Sequence, residues 1–217
     1  MPLDLLCNLV EDALRGLSGP LGVRLRRAWY RKRLSRCGAN LRIEPGVHIL
    51  GTQDIALGDN VWLDRGAVLI AGKPKMTARV VNSSEPTGAM VIGDDCHIGV
   101  GCLIQAHGGV VIGDFFTMSA GAKVYSFSND PAECRKGTTE YGENDPGYRV
   151  TPVTIGRNVW IGLDALVIGG RIGDDCFLRP QTIVTGEVPA GCIVDGRIGR
   201  LRAPRFSGLT ASAVSFD

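Results

Sequence analysis

The sequence predicts an all-β solenoid, a parallel β-helix preceded by a helical segment. Three observations carry that expectation. Aliphatic residues recur every six positions, Gly-Asp or a close variant follows them once per coil, and small side chains stand four places after the aliphatics. The period is plain at Leu57-Gly58-Asp59-Asn60-Val61-Trp62, followed by Leu63-Asp64-Arg65-Gly66-Ala67-Val68 and then Leu69. It returns at Ile92-Gly93-Asp94-Asp95-Cys96-His97 and Ile98-Gly99-Val100-Gly101-Cys102-Leu103, and again from Ile112-Gly113, Ile155-Gly156 and Ile172-Gly173. Six residues match neither a 3.6-residue helix nor two-residue alternation. They match short strands joined by turns, three per coil, with coils stacked at roughly the 4.8 Å inter-strand spacing.

Each element of the repeat has a physical reason. The aliphatics point inward. The positions four later, Val61, Cys96, Cys102, Ala165 and Cys176, are small because two inward groups share a narrow interior. The cysteines among them therefore read as compact core fillers. The chain has seven cysteines and no CxxC pair, which argues against a disulfide framework and supplies no tetrahedral metal set. No metal is expected. The Gly-Asp and Gly-Asn steps are expected to make the tight turns, where positive φ is cheap.

Composition narrows the class. Thirty glycines without a Gly-X-Y period exclude collagen. A hydrophobic fraction of 44% excludes a disordered chain, and 6% aromatics leave the core to small aliphatics. The net charge is only +2, but residues 1–37 hold eight Lys/Arg against Asp4, Glu11 and Asp12. That basic head fits a membrane surface, a phosphorylated ligand or another subunit, or simply a solvated helical face. No nucleic-acid partner is expected. No apolar run reaches membrane-spanning length and no signal peptide is evident, so the expected location is the cytoplasm, with the inner membrane face as a further option.

Three features interrupt or flank the repeats. Residues 1–37 read as helical, with Leu6, Val10, Ala13, Leu14 and Leu17 as one stripe, Pro20 opening a second segment and Gly38 ending it. The solenoid is expected over 38–196. Excursions leave it at 73–90 and 129–152, the second rich in Asp, Glu, Pro and Gly; long loops inside a strict repeat are either functional or solvated insertions. The tail, 197–217, begins with an arginine-rich stretch expected to cap the last coil and its strand edges.

Val153-Thr154-Ile155-Gly156-Arg157-Asn158-Val159-Trp160-Ile161-Gly162 makes the pattern specific, as do Gln105-Ala106-His107-Gly108-Gly109-Val110-Val111-Ile112-Gly113 and Val188-Pro189 with Ile193-Val194. Over about residues 38–200 these resemble the hexapeptide-repeat acetyltransferases of the maltose, galactoside and capsular-sugar O-acetyltransferase type. The resemblance implies a left-handed helix of triangular section, a homotrimer, and acetyl-CoA as co-substrate in a groove between neighbouring β-helices. It places Trp160, Gly162, Ala165 and Thr185 along the pantetheine arm, and Arg197, Arg200 or Arg202 at the CoA phosphates, which a guanidinium meets bidentately.

Acyl transfer to a hydroxyl needs a base for its proton and a donor for the tetrahedral oxyanion. Related enzymes commonly carry histidines in the stretch that here reads Tyr125-Ser126-Phe127-Ser128-Asn129-Asp130. His48 and His97 take the last, outward position of a hexapeptide and read as surface residues. His107, at a turn widened by Gly108-Gly109, matches the catalytic histidine of the serine O-acetyltransferases and is the expected base. Asp130 orients or replaces it, Asn129 donates a hydrogen bond, and Tyr125 and Phe127 meet the acceptor. The implied reaction is O-acetylation of a sugar hydroxyl in polysaccharide or glycolipid biosynthesis, on a small-molecule or lipid-linked acceptor. The alternatives are N-acylation of an amino sugar nucleotide and a catalytically impaired trimeric scaffold. The three histidines have the wrong spacing for a zinc carbonic anhydrase.

Overall fold

The computed structural model describes residues 2–74, 80, 82, 86–130, 147–196 and 200–204. Two helices, α1 (Pro2–Gly16) and α2 (Gly19–Arg31), lead into coils whose strands are two to four residues long. The strands fall into three walls. The first holds 36–37, 55–57, 90–92, 110–112, 153–155 and 170–172; the second runs from 42–43 to 192–195; the third runs from 48–50 to 183–184. Pairing within these walls is parallel, so each coil hydrogen-bonds to the coils above and below.

The inward columns follow the hexapeptide. Leu57, Ile92, Ile112, Ile155 and Ile172 stack along one wall, and Leu63, Ile98, Met118, Ile161 and Leu178 along the next, all buried. The small positions Val61, Cys96, Cys102, Ala165 and Cys176 are likewise buried. One member of that column is not small: Phe116, four residues after Ile112, lies wholly in the core. Burial pushes the Cys96 and Cys102 thiols up to about 11, which keeps them protonated.

The Gly-Asp steps work differently from expectation. Their glycines do not take positive φ. A Cβ at Gly58 would stand 2.6 Å from the Gly93 carbonyl oxygen, so these glycines allow one coil to sit on the next. The left-handed turn falls two residues later, at Asn60, Asp95, Phe115, Asn158 and Asp175. The aspartates meanwhile build a ladder, each carboxylate accepting a backbone N–H of the preceding coil. Asp59 accepts from Ala39 at 2.6 Å, Asp94 from Asp59 at 2.7 Å, and Asp114 from Asp94 at 2.8 Å.

The helical segment caps the first coil. α2 ends at Arg31, and the first strand begins at Arg36. Gly38 therefore does not end the helix; it lies within the first coil, where a Cβ would collide with the Gly58 carbonyl. The expected α1 stripe is only half engaged, since Val10 and Leu14 are partly covered while Ala13 and Leu17 are exposed. The side chain of Leu6 lies outside the described residues. Fastening comes from Arg26, only 1% exposed, whose guanidinium donates to the Leu14, Leu17 and Ile43 carbonyls at 2.8, 2.6 and 2.9 Å. At the other end, 200–204 folds back antiparallel on 192–195 and covers the last strand edge of the second wall.

Candidate active site

The corner joining the third wall to the first positions His107. Three successive coils cross it. The lower one carries the 73–90 excursion, the middle one is the short turn His107-Gly108-Gly109, and the upper one carries the 129–152 excursion. His107 is thus framed by both excursions. Its carbonyl accepts from the Gly88 N–H at 3.0 Å, and the Gly108 N–H donates to Ser126 Oγ at 3.0 Å. The turn is tight rather than widened. A Cβ at Gly108 would stand 1.9 Å from the Ser126 carbonyl oxygen, and Gly109 has φ of +105°.

His107 Nδ1 lies 2.7 Å from the Gly72 carbonyl oxygen. A carbonyl only accepts, so Nδ1 carries the proton and neutral His107 presents Nε2 as a lone pair. The ring stands edge-on to Phe127, 5.8 Å between centroids. This is the geometry of an oriented base, and the orienting group is the Gly72 backbone. Asp130 accepts from Arg149 Nη2 at 2.5 Å within the hairpin of 127–130 and 147–150. Asn129 is exposed and pairs through its backbone with Tyr148.

The two excursions are fastened to each other. Val80 bridges to Tyr148, and the Asn82 side chain pairs with both the N–H and the carbonyl of Val150. Phe127, Tyr148 and Val150 form a small apolar cluster against Val80. Phe127 is therefore buried beneath the hairpin, stacked on Tyr148 at 5.1 Å, rather than presented to an acceptor. Tyr125 is half-buried.

A second feature lies at a different corner, where the second wall turns into the third. Ser119, Trp160, Gly162, Leu163, Phe177 and Pro180 line a shallow apolar groove of about 390 Å³. Trp160 is 46% exposed and its Nε1 donates to Ser119 Oγ at 2.9 Å. Of the positions expected along a pantetheine arm, Trp160 and Gly162 line this groove and Thr185 is exposed. Ala165 is fully buried among the core fillers and cannot touch a ligand. Gly162 lacks a Cβ for the neighbouring coil, not for a ligand, because a Cβ there would meet Leu178 and Pro180 backbone at 2.6 Å. Arg197 and the side chains of Arg200 and Arg202 lie outside the described residues. Leu163, Phe177 and Pro180 were not anticipated; the signal was their shared register, with Trp160 opposite Phe177 one coil on.

The remaining histidines point outward, as the repeat implies, but His97 is not a plain surface residue. It stacks on Trp62 at 4.5 Å with Nε2 3.6 Å from the Asp64 carboxylate, and Arg42 covers Trp62.

Comparison with known proteins agrees with this frame. Residues 90–126 and 152–179 match the model described as hexapeptide repeat of succinyl-transferase. Those matched repeats and the three parallel walls give the chain a left-handed parallel β-helix fold. Among solved structures it is similar to a point mutant of AntD, an N-acyltransferase from Bacillus cereus, in complex with dTDP and coenzyme A. That match has 18% identity and a TM-score of 0.69, and covers 87% of this chain and 91% of that one. It is also similar to a maltose O-acetyltransferase from Clostridium difficile 630, with 16% identity, a TM-score of 0.58 and coverage of 91% and 83%. A hexapeptide-repeat acetyltransferase from Vibrio cholerae matches at 18% identity and a TM-score of 0.57, with coverage of 91% and 88%.

Proposed function

We propose that this hexapeptide-repeat protein is an acyl-CoA-dependent acyltransferase that O-acetylates a sugar hydroxyl, in polysaccharide or glycolipid biosynthesis. The observation that carries the reading is the His107 imidazole, held by Gly72 in the tautomer whose free Nε2 can take a proton. In this scheme Nε2 accepts the hydroxyl proton as the oxygen attacks the thioester carbonyl carbon. Collapse of the tetrahedral centre breaks the C–S bond, and the imidazolium returns its proton to the departing thiolate.

The groove at Trp160, Leu163, Phe177 and Pro180 suits the pantetheine arm, whose chain is largely apolar. Within one chain His107 and the groove occupy different corners of the prism. That separation supports a homotrimer, in which the corner of one protomer meets the groove of the next. Asn129, Tyr125 and Thr185 remain candidates for contacts with the acceptor and the CoA, and Arg197 and Arg200 for its phosphates.

A second reading, N-acylation of an amino sugar nucleotide, is favoured by the likeness to AntD, whose complex holds dTDP. An oriented imidazole serves an amine acceptor equally well. Thiol release from acetyl-CoA with sugars, amino sugar nucleotides and water as acceptors separates the two. Turnover with hydroxyl acceptors alone supports O-acetylation, and turnover with amines alone supports the second reading. Absence of turnover with every acceptor, together with no CoA binding by calorimetry, overturns both and leaves a scaffold.

A further inference from the structure

The outer face of α2 has no counterpart in the chemistry above. Leu21, Arg24, Leu25, Ala28, Arg31 and Lys32 are all exposed. At 100° per residue they fall within an arc of roughly 120°. The opposite face is the one that packs, through buried Gly22, Arg26 and Tyr30. Gly22 brings α2 against the end of α1, since a Cβ there would stand 2.2 Å from the Leu17 carbonyl oxygen. The fold thus spends one face of α2 on capping the first coil and leaves a mixed leucine and cation face pointing away from the solenoid.

Leu21 is the most exposed large apolar side chain among the described residues. Leu21 is 67% and Leu25 40% exposed, and Leu9 of α1 and Leu17 between the helices are exposed as well. A soluble helix face of this kind ordinarily carries both signs of charge. Here residues 13–43 contain no Asp or Glu at all. Asp12 is held by Arg15, and Glu11 lies beside Arg33 and accepts from Trp29 Nε1. Glu11 and Asp12 are therefore paired inward or locally, while the exposed surface of α2 is cationic and apolar.

We propose that this face docks the protein on an anionic lipid bilayer, with Leu21 and Leu25 entering the headgroup boundary and Arg24, Arg31 and Lys32 meeting lipid phosphates. Leucines interleaved with cations on one helical arc have the chemistry of interfacial helices, which combine modest apolar burial with attraction to anionic lipid. A nucleic-acid backbone would use the cations but would leave the leucines in water. No described helix is long and apolar enough to cross a membrane, so the contact is peripheral. The inference is independent of the acyl-transfer reading.

The test is co-sedimentation of the full chain with phosphatidylcholine vesicles containing phosphatidylglycerol, and with phosphatidylcholine alone. Two exposed-face variants accompany it, Leu21→Asp with Leu25→Asp, and Arg24→Glu with Arg31→Glu and Lys32→Glu. Circular dichroism melts confirm that each remains folded. The expected result is binding to the anionic vesicles only, weakened on the order of tenfold or more in each variant and by raised salt. Three results overturn the proposal: no binding to anionic vesicles, equal binding by the folded variants, or variants that change the oligomeric mass by light scattering while vesicle binding persists. The last assigns the face to contact between protein copies.

Discussion

Two residues show how locally the fold is decided. Phe115 takes φ of +58° in a column otherwise filled by Asn60, Asp95, Asn158 and Asp175. Asn and Asp tolerate the left-handed region, and a bulky side chain does not. Its ring is largely exposed, with Arg157 lying over it at 5.5 Å. Phe115→Asn is therefore expected to stabilise the protein by about 0.5–1 kcal/mol, read as a rise in thermal midpoint. Arg26 is the converse case. Methionine there fills similar space but strands three carbonyls, so Arg26→Met is expected to cost about 3 kcal/mol in denaturant unfolding. A basic head read from charge alone hides this, because Arg26 is counted with surface cations when its guanidinium is a structural cap.

At the scale of elements, the repeat explains why the cysteines sit where they do. Cys96, Cys102, Cys176 and Cys192 are buried in the core, while Cys7 and Cys37 are half-buried. Iodoacetamide should modify the four core thiols only on unfolding, which peptide mass spectrometry reads directly. Burial raises Cys96 and Cys102 from the ordinary 9.0 to about 11, and Tyr30 from 10.0 to about 12. All three hold their protons more tightly when folded. Their contribution to stability is thus full below about pH 9 and is lost as pH rises towards 11 and 12. Urea midpoints should stay level up to pH 9 and fall steadily above it.

The walls of the solenoid were legible in the sequence because a six-residue period projects directly onto buried columns. Its exceptions were not. Phe116 breaks the small-residue rule, and nothing in the hexapeptide signals where the interior can admit a ring. Likewise, the Gly-Asp step announces a turn, but only the coil above shows that the glycine serves close approach and the aspartate a backbone N–H.

For the whole molecule, stacking decides what the candidate site contains. His107 could be picked out as a residue, yet its tautomer depends on Gly72, thirty-five positions earlier and one coil below. Phe127 stands where the acetyltransferases that the sequence resembles carry histidine, and its burial against Tyr148 emerges only from the pairing of 127–130 with 147–150. The two excursions lock together through Asn82 and Val150, a contact no local pattern encodes. The groove at Trp160 and the imidazole of His107 lie on separate corners, so the proposed catalytic unit would span two protomers. His107 carries the proposed acyl transfer, and its removal is the decisive test. Thiol release from acetyl-CoA is compared for the native protein and a folded His107→Ala variant, with an acceptor that supports turnover. The predicted result is a loss of kcat of roughly 100-fold or more, the typical share of a general base. Unchanged turnover in the variant would contradict it.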